Sequence, residues 1–182
     1  LLDVARIDEN LFSLELQEFD IVGLANDVIK EVKNQITNNK KIKIDLQCTE
    51  KSLNVNGDKI RLNQVFLNLI NNAIKYTDEG NILVSIKRSN VNGNSNNNPN
   101  NTYTHNDTVA LVQIIDNGMG IQENIKEKLF SKFIKGTKMG TGLGLFICKN
   151  IVESHGGKIW AENNPDKGAT FSFTIPTKSI IR

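Results

Sequence analysis

Cysteine is scarce in this chain: of 182 residues only Cys48 and Cys148 carry a thiol, far apart and with no cluster of histidines nearby. That spacing excludes a disulfide framework and a zinc site, and leaves both as expected small buried hydrophobes in a reducing compartment. Charge of one sign is also missing. Lys and Arg number 22 against 20 Asp and Glu, for a formal net charge of +2, and no dense basic block occurs. The electrostatic footprint of a nucleic-acid binder is therefore absent. No apolar run approaches the roughly 18 residues of a membrane span, and the opening "LLDVARIDEN" is too charged for a signal peptide. The expectation is a soluble cytoplasmic domain without nucleic-acid or membrane contact, of a length that fits one domain or one domain plus a fragment.

What is present is an alternation of helical and extended patterns. Residues 1–11 read as the last turns of a helix that began earlier, and "FSLELQEF" as a short strand. Asp20 then caps a helical pattern through Ile21, Leu24, Ala25, Val28, Ile29 and Val32, which fades in "TNNKK". "KIKIDLQ" alternates as a half-buried strand and "LNVNGD" as a second with its turn at Gly57. Asp58 is placed to cap a long helix ending near Tyr76. "TDEG" reads as a turn between that helix and the strand "NILVSIKR". Between this strand and "TVALVQIID" lies an Asn-rich stretch, residues 89–108, expected to be a disordered or mobile insertion in a hairpin. A short helix "ENIKEKLFSKF", a basic glycine-containing loop, and a helix from about Leu143 to Ser154 follow. Gly156 is available for its left-handed cap, and "KIWAEN" and "TFSFTIP" close the chain as strands. The order predicts an α+β sandwich, a mixed sheet with helices on one face.

The long helix carries an anomaly in "NLINNAIKYT". At about 100° per residue, Asn68, Asn72 and Lys75 fall within roughly 60° of one another, and Arg61 and Gln64 extend the stripe. Leu62, Val65, Phe66, Leu69, Ile70, Ala73 and Ile74 cover most of the remaining circumference. A narrow strip of amides ending in a lysine suits a cation and phosphates. A solvated face with incidental asparagines is the plain alternative in so Asn-rich a chain, although Asn is a poor choice for a helix interior. Asn71, at the edge of the stripe, fits that alternative best.

Two glycine clusters add to the strip. "DNGMGI" sets Asp116 at the end of a buried strand, with Gly118 and Gly120 giving a tight turn and close approach of a flat ligand to the backbone. An ionised Asp only accepts hydrogen bonds, which suits an exocyclic amine such as that of adenine. "MGTGLGLF" puts Gly140, Gly142 and Gly144 at the start of an apolar helix, whose free N–H groups and positive dipole end favour an anion such as a phosphate chain. Taken singly, an ordinary strand-ending turn and a flexible loop entering a helix explain each cluster equally well. GxxxxGK[ST] is absent, GxGxG does not follow the first strand of a βαβ unit, and the protein-kinase motifs are missing, so a different nucleotide fold is required.

In this order, "RLNQVFLNLINNAIKYT", "DNGMGI", "LFSKF", "GTGLGLFICKNIVESHGGKIW" and "GATFSFTIP" resemble the catalytic ATP-binding domain of sensor histidine kinases. The resemblance runs from about Phe12 to Pro176 and implies a Bergerat-type two-layer α/β sandwich. It makes residues 12–182 the ATP-binding domain and 1–11 the tail of a preceding dimerisation helix. It implies ATP and Mg²⁺ as ligands. The metal would sit on Asn72, with Asn68 polarising the same region, Lys75 on a phosphate and Tyr76 on the adenine side. Asp116 would read the adenine amine, Gly118, Gly120 and Ile121 would shape that pocket, and Thr170 would support the base through water. Lys138, Gly140, Thr141, Gly142, Leu143 and Gly144 would form the hinge and phosphate contacts of a mobile lid.

The implied partners are a dimerisation domain bearing the phosphoacceptor histidine, in a full-length homodimer, and a response-regulator receiver domain. Neither His105 nor His155 lies in the family's His-Glu-x-x-x-Pro context, so the acceptor is expected outside this chain. The lid segment is short, with Lys135 and Lys138 as its cations and no Arg after the aromatic motif. Two alternatives share the helix design: an ATPase of the wider superfamily that includes gyrase B subunits, mismatch-repair ATPases and a heat-shock chaperone, and a serine-directed kinase that antagonises sigma factors. The hydrolytic members carry Glu at the position of Asn68, and an amide cannot activate water.

Overall fold

Alternation and capping account for the elements seen in the computed structural model, which describes residues 13–36, 41–90, 108–134 and 141–177. Strand β1 (Gln17–Asp20) leads directly into helix α1 (Ile21–Gln35). Asp20 makes that junction: its carboxylate accepts from Val22 N and Gly23 N at 3.0 and 3.1 Å, the N-cap geometry that satisfies donors the helix cannot. The same carboxylate accepts from Leu53 N at 2.9 Å and so ties the start of α1 to the segment entering β3 (Asn54–Gly57). Helix α2 (Lys59–Tyr76) starts at Asp58, whose Oδ1 accepts from Arg61 N at 3.0 Å. Leu62, Val65, Phe66, Leu69, Ile70 and Ala73 of α2 are buried, each contributing about 1.5–3 kcal/mol for the side chains larger than alanine.

The main sheet is five-stranded, in the order β2 (Lys41–Cys48), β4 (Glu79–Asn90), β5 (Thr108–Asp116), β7 (Ala169–Pro176) and β6 (Ile159–Asn163). β2 and β4 are parallel, Ile44 facing Ile82, and the other pairings are antiparallel. The connection from β2 to β4 carries α2 across the sheet. α1, α2 and α4 (Gly144–Ser154) cover one face, where Ile44, Ile82, Val84, Ile86, Val112 and Ile114 are buried. Phe66 of α2 meets Phe173 of β7 edge to face, with ring centroids 5.4 Å apart. β1 and β3 form a separate two-stranded antiparallel sheet.

The architecture agrees with the α+β sandwich expected from the sequence, and its boundaries differ in instructive places. Gly57 closes β3 rather than making a turn, and Glu79 and Gly80 of the expected turn already belong to β4. "ENIKEKLFSKF" yields only the single-turn α3 (Glu123–Lys126) followed by turns, because too short a pattern cannot offset helix nucleation. β1 begins at Gln17, so the alternation of "FSLELQEF" is used only at its end. β4 and β5 reach Asn90 and Thr108, so the ends of the Asn-rich stretch join the ladder, Asn90 opposite Thr108. The remainder of that stretch, residues 1–12 and His105 lie outside the described residues.

At the C-terminus of α4, Gly156 takes φ 76° and Gly157 N donates to Val152 O at 2.9 Å, a left-handed stop. His155 beside it is buried and joins two elements. Its Nδ1–H donates to Ile151 O at 2.7 Å, and its Nε2 accepts from Asp58 N at 2.9 Å, which fixes the neutral tautomer. Burial lowers the pKa of this imidazole, against the raising effects of the Ile151 carbonyl and Asp58. The folded state therefore takes up a proton less readily than the unfolded chain. Stability is expected to hold above the unfolded value of about 6.5 and to fall below it, by at most about 1.4 kcal/mol per pH unit from this group. Urea midpoints measured from neutral to mildly acidic pH should show a steeper acid loss in wild type than in His155→Gln. Parallel curves would remove His155 as the cause.

Candidate functional site

A cavity of about 320 Å³ opens between α2, the loop after β5 and the N-terminus of α4. The α2 stripe supplies one wall: Asn68, Asn72, Lys75 and Tyr76 all line it. Lys75 Nζ lies 4.9 Å from the centroid of the Tyr76 ring. Asn68 faces α4, where it approaches Gly144 and the buried thiol of Cys148. Burial pushes that thiol up to about 12, with a hydrogen bond involving Asn68 opposing the shift, so the sulfur stays protonated and inert beside the amide. Asn71 is exposed and still lines the rim, so the solvated-face reading covers only part of its surface.

The cavity also takes in Asp116, which is 5% exposed and terminates β5. Its Oδ1 accepts from Gly118 N at 2.8 Å and from Ala169 N at 3.3 Å. Burial raises the pKa of its carboxyl, and the two backbone bonds pull it back. Among the described residues both bonds to the carboxylate land on Oδ1, which leaves Oδ2 as the acceptor available to a ligand. Gly118 does not line the cavity. A Cβ there would collide with Tyr76 O and lie 2.9 Å from Asp116 Oδ1, so glycine allows the carboxylate to nest against α2. Gly168 crosses just as closely over Asp116 O, with φ 89°.

Ile125, Leu129, Ile134, Leu145, Ala169 and Phe171 provide an apolar lining, which Met119 and Gln122 extend. Gly120, Ile121, Thr141, Gly142 and Gly144 also line the cavity, as their motifs imply. Leu143 is the buried N-cap residue of α4, and Thr170 donates its hydroxyl to Asn164 Oδ1 at 2.6 Å; neither lines the cavity. Lys135, Lys138 and Gly140 fall outside the described residues. The residues that flank them meet: Phe133, in the left-handed region at φ 62°, donates its N–H to Gly142 O at 2.9 Å. Gly142 itself has φ 71°, and a Cβ on it would lie 2.7 Å from Ile134 O.

The strongest residues missed in the sequence hold the loop after β5. Asn164 Nδ2 donates to Asp116 O at 2.7 Å, Asn117 Oδ1 accepts from Asn81 N at 3.1 Å, and Asn163 bonds both backbone groups of Ile121. No group of three or more His, Cys, Asp or Glu suited to a metal occurs among the described residues. The amide oxygens on α2 are hard donors, which fits a Mg²⁺ that takes one or two protein oxygens and fills its remaining positions from water and phosphates.

An apolar cavity lined by one carboxylate acceptor and by the amides and lysine of α2 suits a purine nucleotide with its phosphates along α2. The comparisons agree. Residues 57–179 match the family model described as histidine kinase-, DNA gyrase B-, and HSP90-like ATPase. The chain is 35% identical over 195 residues to hybrid signal transduction histidine kinase C of Dictyostelium discoideum, an alignment covering 98% of this chain and 15% of that protein. It is 32% identical to the catalytic domain of the histidine kinase ThkA, with a TM-score of 0.69 over 90% of this chain and 97% of that one. ThkA in complex with the response regulator protein TrrA aligns at 31% identity and a TM-score of 0.68, over 97% of this chain and 47% of that one. The chain thus spans only a small part of the Dictyostelium relative.

Proposed function

Since the chain belongs to the histidine kinase-, DNA gyrase B- and HSP90-like ATPase family, we propose that it binds Mg·ATP and transfers the γ-phosphoryl group to a histidine on a dimerisation domain. The observation that carries this reading is the cavity itself. It gathers Asp116, Asn68, Asn72 and Lys75 around one apolar lining. Asp116 Oδ2 would accept from the adenine amine, and Gly120 and Ile121 would lie along the base. Thr170 and Asn164 would hold the Asp116 backbone from behind. Lys75 would neutralise phosphate charge, and Asn72, with Asn68 beside it, would hold Mg²⁺. When bound, the metal would supply charge neutralisation at the phosphate oxygens. The chain's own contribution is positioning and electrostatic complementarity, since phosphoryl transfer asks little covalent chemistry of the protein.

Transfer to histidine is favoured over hydrolysis by what surrounds the α2 end. Asp116 is the one carboxylate among the described lining residues, and it is engaged by the Gly118 and Ala169 amides. The amide of Asn68 stands where hydrolytic members of the family carry a general base. A response-regulator receiver domain would then take the phosphoryl group from the histidine.

Mixing the chain with γ-labelled ATP and a cognate dimerisation domain tests this. Acid-labile label is expected on the partner's histidine and none on the chain alone. Release of inorganic phosphate without phosphohistidine would establish the ATPase reading instead.

A further inference from the structure

The loop after β5 forms the base-side rim of the cavity and has no secondary structure of its own to hold it. Asn163, the last residue of β6, reaches it across 42 positions of sequence. Its Oδ1 accepts from Ile121 N at 2.6 Å and its Nδ2 donates to Ile121 O at 2.9 Å. One amide thus pairs with both backbone groups of one residue, as a neighbouring strand would. Gly120 is shaped to this contact. It adopts φ 76°, and a Cβ on it would lie 2.9 Å from Asn163 Oδ1. At its other end the loop is held by Met119 N donating to Tyr76 O at 3.3 Å and by Asn164 gripping Asp116 O.

We infer that Asn163 is a positioning residue for the base half of the nucleotide site. It lines no part of the cavity itself, and it fixes the peptide that presents Ile121 and Gly120 to the ligand. This assignment rests on the proposed ATP site. Pre-forming that rim spares the ligand the entropy of ordering it, so loosening the clamp should weaken binding through the base and leave phosphate binding alone. Asn163 is exposed, so its replacement leaves the core intact.

The test compares Asn163→Asp and Asn163→Ser with wild type. Asp keeps an acceptor for Ile121 N–H and turns an oxygen toward Ile121 O; Ser keeps a single, shorter polar group. Calorimetry with ATP and with inorganic triphosphate, each with Mg²⁺, separates the two halves of the site. The expected result is a loss of ATP affinity of about tenfold in Asn163→Asp and less in Asn163→Ser, with triphosphate binding unchanged. Faster amide exchange at Ile121 in the ligand-free variants should accompany it. Equal losses for ATP and triphosphate, or variants that bind ATP as wild type does, would overturn the clamp alone. A wild-type chain that takes up triphosphate or nothing, and no ATP preferentially, would overturn the proposed function together with it.

Discussion

Replacing Asn72 by alanine is expected to lower Mg²⁺-dependent phosphoryl transfer by on the order of 100-fold or more, while stability changes by less than about 0.5 kcal/mol. Asn72 lies half-buried on the polar stripe of α2 and lines the cavity, whereas the core side chains of that helix point the other way. Alanine favours the helix, so the fold loses nothing there. What disappears is a hard oxygen donor, and if it holds magnesium as proposed, the few ligands the protein would offer that ion make each one costly to remove. Calorimetry with and without Mg²⁺, alongside phosphohistidine yield, measures the effect. ATP affinity that keeps its full dependence on Mg²⁺ in the variant would take Asn72 out of the site.

Asp116→Asn should be the second large loss, a weakening of ATP binding by about 10- to 100-fold, because a hydrogen bond to a charged acceptor is worth about 1.5–3 kcal/mol. The substitution is nearly isosteric. Its amide oxygen can still accept from Gly118 N and Ala169 N, so the turn is retained. The new NH₂ group then occupies the Oδ2 position and faces the adenine amine donor to donor. A base with a carbonyl at that position, hypoxanthine, should recover part of the lost affinity. An unchanged ratio of inosine to adenosine triphosphate binding would show that Asp116 does not read that edge of the base.

Much of this was legible because it was local. Asp20 and Asp58 announced their helices, and the 100° spacing of Asn68, Asn72 and Lys75 placed them on one face without reference to anything else. "TVALVQIID" reads as a buried strand that coincides with β5 and brings Asp116 to its end. The residues that escaped notice act across long separations. Asn163 ends the strand read from "KIWAEN" and Asn164 follows it, and their side chains bond the backbone 42 and 48 positions away. Such contacts leave no trace in a helical or alternating pattern. The apolar lining was hidden for a related reason: Ala169 and Phe171 read as ordinary strand residues until the pairing of β7 with β5 carries them to the cavity. His155 looked like a mere helix end, and only the tertiary structure reveals the bond to Asp58 that makes it a tie between α4 and α2.

The pairing of β5 with β7 also has a consequence for how the domain is assembled. Asp116 gains one of its two backbone donors from Ala169, 53 residues further on, so the proposed base pocket is incomplete until those strands meet. Topologies rich in contacts of such long range fold slowly. Under the proposed function, nucleotide affinity would be a property of the finished sheet, and a ligand that needs both strands would draw its stabilisation from complete unfolding rather than from local fraying. Bound ATP would act as a fastener laid across that seam.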